Sequence, residues 1–301
     1  MEMKKDGMLS FTKVGLKDMG FLRPWFAAAG ERSSDSTAGA AVMWRDFFQT
    51  EYALHGASLI LRYQLQDGGT SFNMPLGGDT VVALREIESC CGAGGMPMRL
   101  CCVTEEDLAL LRSLYAVEAQ SNDDWSDYLY LAEDLRTFSG RRYNGQRNHV
   151  NAFKRAYPDY RLEEARAEDM DELRSFYLHS GRVDCKDSLY FREEQKIVFN
   201  VLEHYGDYGG FWGILRAGGG IVAFSMGEAV GDTLFVHIEK ADFKCRGAYQ
   251  TMVHEFVRRF AGPGVVYVNR EEDCGDEGLR RSKQSYHPCQ MIRKYTVQVR
   301  A

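Results

Sequence analysis

Three carboxylates stand in successive positions near the end of the chain, at Glu271, Glu272 and Asp273. Crowded carboxylates repel one another unless a cation lies among them. A substrate that carries an amino group would supply that charge, and so would the arginines of the same segment, NREEDCGDEGLRRSKQSYHP (residues 269–288). The triplet is therefore either a binding site for a cationic substrate or an ion-paired surface loop.

The residues around this triplet extend the candidate site. Asn269 ends a short apolar strand, and strand ends in α/β folds point side chains into the ligand crevice. Asp276 is placed to cap the following helix, on which Arg280 and Lys283 share a face at i, i+3 spacing. We predict that Asn269, the triplet, Arg280 and Lys283 bind substrate. Tyr286 stands at the end of this helix, as part of the site or as a core residue.

A second set of polar side chains lies on a strand predicted over residues 233–242. Apolar residues alternate with polar ones there, so His237 and Glu239 project from the same face. They either contact a substrate or are hydrogen-bonded neighbours on a half-exposed sheet. We place His237 among the substrate-binding residues.

The turn CRGAYQ (residues 245–250) precedes an amphipathic helix with apolar residues at i, i+3 and i+4. A helix N-terminus offers unpaired N–H groups and a partial positive charge, which suit a phosphate. We predict that Lys244, Arg246 and Gly247 bind an anionic donor. The alternative is a plain helix start that needs a glycine.

Bases gather in one further stretch, residues 139–160, although the chain as a whole carries 43 Asp and Glu against 37 Lys and Arg. Arg147 and Lys154 lie on a helix predicted there and face away from its apolar edge. The helix is either a linker whose bases pair with the acids of residues 123–134 or 163–172, or a basic patch for the phosphates of tRNA or coenzyme A. We predict that Arg147 and Lys154 bind the donor.

Two segments of the chain resemble each other, residues 78–115 and 247–286. Each is predicted to form a helix, a glycine turn, a short apolar strand with Glu-Glu-Asp after it, and a helix that ends in tyrosine. The duplication predicts two α/β domains, residues 1–150 and 151–301. A chance likeness from common turn chemistry is the alternative.

The order of predicted elements in the second half is typical of a GNAT-type acyltransferase. IEKADFKCRGAYQ, GQRNHVNAFKRAYPDY and NREEDCGDEGLRRSKQSYHP together resemble the family named for the C-terminal domain of phosphatidylglycerol lysyltransferase, most strongly from about Tyr128 onward. This resemblance implies an α/β (α+β) fold of two tandem GNAT-like acyl-CoA N-acyltransferase domains. Each domain is expected to be a mixed, mostly antiparallel sheet flanked by helices.

The resemblance also implies roles for individual residues. The strand that carries Glu239 supplies a general base in many GNAT enzymes, and a tyrosine in the position of Tyr286 protonates the leaving group. Lys244 and Gly247 match part of the coenzyme A turn, but Tyr249 replaces its last small residue. That replacement favours aminoacyl-tRNA over coenzyme A as the donor.

The composition of the chain restricts the class of function and the cellular location that we expect. A formal net charge of -6 argues against a general nucleic-acid binder, without excluding one basic groove. We expect no transmembrane segment, since no apolar run approaches roughly 18–20 residues, and no signal peptide. The eight cysteines form no C-x-x-C pair, so we expect reduced thiols, a cytoplasmic location and no metal site.

These observations predict a transferase that moves an aminoacyl group, such as lysyl from aminoacyl-tRNA, or an acyl group to an amine or hydroxyl acceptor. The acceptor is either a small molecule or a lipid headgroup, although membrane members of the family have a transmembrane portion that this sequence lacks. One alternative is a coenzyme A-dependent N-acetyltransferase. Another is a non-catalytic protein that binds a cationic metabolite on a transferase scaffold.

Overall fold

The computed structural model describes residues 9–180 and 189–300, without the side chains of 189–191. They form two compact units. The first unit comprises the described residues up to Ser126 and those from Ile292 onward, and the second comprises Asp127–Met291. Cys185 lies outside the described residues.

The described part of the first unit holds four α-helices and a seven-stranded sheet. Its helices are α1 (Met19–Ala29), α2 (Ala38–Met43), α3 (Thr80–Gly94) and α4 (Glu105–Leu114). Its strands are β1 (Thr12–Lys13), β2 (Glu51–His55), β3 (Ser58–Gln64), β4 (Thr70–Phe72), β5 (Arg99–Val103) and β6 (Val117–Ser121), together with the last strand of the chain, β14 (Tyr295–Val299).

The second unit also contains a seven-stranded sheet. Its strands are β7 (Asp127–Leu131), β8 (Arg161–Glu164), β9 (Phe211–Ala217), β10 (Gly220–Val230), β11 (Thr233–Ala241), β12 (Tyr267–Asn269) and β13 (Gln290–Ile292). Its helices are α5 (Ala132–Thr137), α6 (Asn144–Ala156), α7 (Met170–Ser180), α8 (Leu189–Glu203), α9 (Tyr205–Tyr208), α10 (Ala248–Phe260) and α11 (Glu277–Gln284).

The two sheets have the same strand order. The first runs β1-β2-β3-β4-β5-β14-β6, and the second, read from its far edge, runs β8-β9-β10-β11-β12-β7-β13. In each sheet the fourth and fifth strands are parallel, β4 with β5 and β11 with β12, whereas the pairs on either side of them are antiparallel. Two mixed, mostly antiparallel sheets flanked by helices are the predicted fold class, which is confirmed.

The sixth strand of each sheet comes from an unexpected part of the chain. After β6 in the first sheet, the chain continues directly into β7 of the second, and after β13 it returns to the first sheet as β14. The segment MIRKYTVQV (residues 291–299) is therefore divided between two sheets. Residues 150 and 151, where the domain boundary was predicted, lie within α6. This helix packs with the second unit, as do β7 and α5 before it.

Helix α10 shows why the second unit folds as it does. Its apolar residues Met252, Val253, Phe256 and Val257 are at most 2 % exposed and lie in one core with the strands of the second sheet. Burial of each such side chain contributes about 1.5–3 kcal/mol. The amphipathic pattern alone thus fixes which face of α10 turns inward.

Among the described residues, no helix is both long enough and apolar enough to cross a membrane.

Candidate functional site

The two parallel strands of the second sheet differ in length, and this opens one side of β11. Pairing with β12 covers only the positions from Thr233 opposite Tyr267 to Phe235 opposite Asn269. There β12 ends, whereas β11 continues to Ala241. We call residues 270–276, which follow β12, the acidic loop. Side chains of this loop reach across the gap to β11 at two points.

The first crossing is made by His237. Its Nδ1 lies 2.8 Å from Glu271 Oε1 and its Nε2 lies 3.1 Å from Glu228 Oε1 on β10. Burial opposes the charge of this imidazole, which is 1 % exposed, but hydrogen bonds to the two carboxylates raise the pKa of His237 to about 10. His237 is therefore an imidazolium clamped between two glutamates.

Glu228 was missed by the sequence analysis, although a signal for it existed. The hairpin turn at Gly231 and Asp232 fixes the register of the two strands, and counting back from it places Glu228 opposite Phe235. Phe235 precedes His237 by two residues, so a glutamate opposite Phe235 is within reach of the His237 ring.

The second crossing joins Glu239 to the acidic loop. Arg270 Nη2 donates a hydrogen bond of 2.6 Å to Glu239 Oε1. The guanidinium carbon of Arg270 lies 4.6 Å from the ring centroid of Tyr286 and 5.7 Å from that of Tyr130. Arg270 thus contacts both predicted catalytic residues, Glu239 and Tyr286.

Tyr286 is 1 % exposed, and its burial raises the pKa of its hydroxyl although Arg270 opposes the shift. The hydroxyl therefore keeps its proton at neutral pH. Arg270 itself was not among the predicted site residues. Its place directly before the acidic triplet was the signal, but the sequence does not show where its side chain turns.

The main chain of the acidic loop is held by two other predicted site residues. The buried Lys283 donates from Nζ to the carbonyl oxygen of Arg270 at 2.6 Å and to that of Glu272. Burial lowers the pKa of Lys283. Asn269 Oδ1 accepts a hydrogen bond of 2.7 Å from the N–H of Glu271, while its Nδ2 donates to Asp127 Oδ2 at 2.9 Å. Both side chains therefore fix the main chain of the loop.

Asp273, the last residue of the triplet, is also buried and bonded. It accepts hydrogen bonds from the Tyr128 hydroxyl at 2.6 Å, from Arg280 at 2.9 and 2.7 Å, and from the N–H of Gly275 at 2.9 Å. Burial opposes the negative charge, but Arg280 and Tyr128 lower the pKa of Asp273. The protein's own cations thus accompany two carboxylates of the triplet, at Glu271 and Asp273.

The backbone of the acidic loop is unusual. Glu271 and Cys274 have left-handed φ values of 57° and 50°, which non-glycine residues adopt at a cost of about 1–2 kcal/mol each. The side-chain bonds of His237, Lys283 and Asp273 hold this conformation in place.

The predicted donor-binding residues on α6 have other partners. Arg147 donates hydrogen bonds to the carbonyl oxygens of Phe138 and Gly140 and to the side chain of Asn144, and so holds the turn that begins α6. Lys154 Nζ donates to Glu255 Oε1 on α10 at 3.0 Å. Among the described residues, neither Arg147 nor Lys154 makes a side-chain hydrogen bond or ion pair with the acidic loop.

At the start of α10, Lys244 and Arg246 are exposed, and Gly247 has a left-handed φ of 88°. A Cβ at Gly247 would lie 2.4 Å from the carbonyl oxygen of His149 on α6. Glycine is therefore required here by the close approach of two helices as well as by the backbone conformation. A role in donor binding for these three residues stays a prediction.

Within the described ranges, no group of three His, Cys, Asp or Glu side chains is arranged to hold a metal ion.

Comparison with known proteins identifies the family. The model of the phosphatidylglycerol lysyltransferase C-terminal family matches residues 26–298. The chain belongs to this family. The resemblance drawn from the three sequence segments is thereby confirmed, and it extends well before Tyr128.

Several solved structures are similar to the structure of this chain. A conserved protein of unknown function from Bacteroides thetaiotaomicron superposes with a TM-score of 0.92 at 28% identity, over 97% of this chain and all of the other. The C-terminal domain of a putative lysylphosphatidylglycerol synthetase from Agrobacterium fabrum superposes with a TM-score of 0.67 at 13% identity, over 94% and 92% of the two chains.

An uncharacterized protein of Mycoplasmoides gallisepticum is 26% identical over 198 residues, which are 65% of this chain. The match spans 63% of the length of that relative.

Proposed function

We propose that this family member transfers an aminoacyl group from an aminoacyl-tRNA to an amine or hydroxyl acceptor, with the reacting centre in the gap between β11 and the acidic loop. The observation that carries the proposal is the position of Arg270, which is hydrogen-bonded to the carboxylate of Glu239 and lies against the ring of Tyr286. The description of the family as a lysyltransferase favours an aminoacyl group over other acyl groups.

The proposed reaction needs one proton removed and one supplied. Glu239 takes the proton of the acceptor as its nitrogen or oxygen attacks the ester carbonyl. The bond between that carbonyl and the terminal ribose oxygen then breaks, and Tyr286 gives its proton to the departing oxygen. Positioned acids and bases of this kind accelerate a reaction by roughly 10²–10⁴-fold each. A buried tyrosine that keeps its proton at neutral pH is suited to the second step.

Exposed Lys244 and Arg246, with Gly247 at the start of α10, are proposed to contact phosphates of the donor. Arg147 and Lys154 are proposed to add positive charge on α6. The acceptor is proposed to be a small molecule or a lipid headgroup, and lysine the transferred amino acid. The seven described cysteines are free, which supports the proposed cytoplasmic location.

In the experiment, the purified protein is mixed with tRNA that is charged with radiolabelled amino acids. Phosphatidylglycerol vesicles or soluble amines are added as acceptors. We expect label to leave tRNA for one acceptor class. Glu239→Gln and Tyr286→Phe should each lower the rate of transfer by roughly 10²–10⁴-fold. Tyr205→Phe, which removes a hydroxyl bonded to the carbonyl of Ala165, should leave the rate unchanged.

A parallel reaction contains labelled acetyl-coenzyme A in place of charged tRNA. Transfer from acetyl-coenzyme A alone would replace the proposal with an acetyltransferase. Binding of amines without transfer from either donor would replace it with a metabolite-binding protein.

A further inference from the structure

One nitrogen of the Arg270 guanidinium has no partner. Arg270 is 8 % exposed, and its Nη1 is buried without any hydrogen bond, while Nη2 is bonded to Glu239. Of the described side chains with a buried, unpaired nitrogen or oxygen, Arg270 is the charged one. A buried donor without an acceptor destabilises the fold, and a charged one does so more strongly, so nearly all buried donors are paired. Nη1 therefore points to an acceptor that is supplied from outside the chain.

The guanidinium is fixed in place from several sides. Its main-chain N–H donates to the carbonyl oxygen of Tyr128 at 3.1 Å, and its own carbonyl oxygen accepts from Lys283 at 2.6 Å. Glu239 holds the far end of the side chain, and the ring of Tyr286 covers its plane. A donor held in this way needs little reorganisation when an acceptor arrives.

A second unpaired group lies close by. Ser225 is the residue of β10 directly opposite Glu239 in the antiparallel ladder, so the two side chains share a face of the sheet. The Ser225 hydroxyl is buried and has no hydrogen-bond partner. Two residues next to Glu239, Arg270 through its ion pair and Ser225 through the strand ladder, therefore each carry an unpaired polar atom, Nη1 and Oγ.

We propose that Arg270 Nη1 binds the carbonyl oxygen of the aminoacyl ester. This inference rests on the proposed transferase function and adds a catalytic residue to it. As the acceptor attacks the carbonyl carbon, the carbonyl oxygen gains negative charge, which the guanidinium stabilises. The carbon–oxygen double bond re-forms when the bond to the ribose oxygen breaks. Glu239 holds the proton of the acceptor, and the proton of Tyr286 goes to the ribose oxygen.

The test compares ligands that differ in the carbonyl. Calorimetric titration uses a panel of L-amino-acid amides and the matching amino alcohols, in which a CH₂OH group replaces the carboxamide and thereby removes its carbonyl. The wild-type protein should bind at least one amide tenfold or more tightly than its alcohol. Arg270→Lys keeps a cation beside Glu239 but has no second nitrogen at the position of Nη1, so this preference should disappear while the affinity for the alcohol stays the same.

Arg142→Lys serves as the control, because Arg142 pairs with Asp134 at the surface of the same unit. It should keep the preference for the amide. In the transfer reaction, Arg270→Lys should lower kcat by roughly 10²–10³-fold, as loss of one oxyanion donor does, with little change in the KM for charged tRNA.

A wild-type protein without preference for any amide over its alcohol, or an Arg270→Lys variant that keeps the preference, would overturn the inference. If transfer from charged tRNA still occurs in either case, the proposed function stands and only the role of Arg270 is wrong. If the preference for amides is present and depends on Arg270 but no transfer occurs, the carbonyl site stands and the proposed reaction is wrong.

Discussion

The two segments with duplicated sequence patterns form the same elements but use their acidic triplets differently. The first segment forms α3, β5 and α4, and the second forms α10, β12 and α11. Glu105, Glu106 and Asp107 are the first turn of α4, where the Thr104 side chain accepts the N–H of Asp107 and negative charge is favourable. The second triplet lies before its helix instead, and Asp276 takes over the cap.

The strands beside the two triplets differ as well. β4 has three residues and pairs with β5 at one position, Phe72 opposite Leu100. β11 has nine residues and extends beyond β12 with His237 and Glu239 on the extension. A duplicated fold therefore does not imply a duplicated site. The chemistry proposed above depends on one long strand and one displaced triplet, both in the second segment.

The largest expected effect comes from the tyrosines that end the two segments. Tyr115 and Tyr286 each have an arginine beside the ring, Arg85 at 4.8 Å and Arg270 at 4.6 Å. If the site belongs to the second segment alone, Tyr286→Phe should lower turnover by roughly 10²–10⁴-fold. Tyr115→Phe should leave the rate of aminoacyl transfer within a factor of two or so of wild type. Equal losses in the two variants would break the comparison.

The next largest effect is on stability and concerns the second triplet, in which Glu271 pairs with the buried His237. Replacing His237 by glutamine leaves Glu228 and Glu271 without their cation, which should cost about 3–5 kcal/mol of unfolding free energy. Denaturant titration measures this loss. The double variant with Glu228→Gln should recover part of it, since one of the two carboxylates is then neutral. No recovery would mean that the imidazole acts through packing.

A pH titration tests the same cluster. The pKa of His237 is raised to about 10 in the folded chain from an ordinary value near 6.5, so its contribution is fully present below about pH 6.5 and is lost as the pH rises through 10. The unfolding free energy should therefore fall over that range by a few kcal/mol. His237→Gln should remove this part of the slope, whereas His55→Gln in the first unit should leave it unchanged.

The smallest effect concerns the two helix caps. Thr104→Ala and Asp276→Ala each remove one side-chain acceptor at a helix N-terminus and should each cost about 1 kcal/mol. The transfer rate should separate the two. Asp276→Ala shifts the end of the acidic loop and should slow turnover, but Thr104→Ala should not. A slower rate in Thr104→Ala would indicate that the first triplet also serves the reaction.

Much of the local structure was predictable from the sequence. The i, i+3, i+4 spacing predicts the helix that is observed as α10, the alternation of residues 233–242 predicts β11, and Asp276 is the cap that its position suggests. His237 and Glu239 were predicted to share a face, and both indeed reach the acidic loop. These properties depend on residues close together in sequence, so one chain reveals them.

The tertiary structure decided the rest. It sends β7 and β14 into sheets that a linear division of the chain does not predict, turns Lys283 toward main-chain carbonyls, and brings Arg270 into contact with both Glu239 and Tyr286. Such contacts join residues far apart in the chain, and the direction of a long side chain depends on which charges and rings surround it after folding. Sequence periodicity specifies the faces of helices and strands, whereas strand partners and the pairing of buried charges follow only from the packed whole.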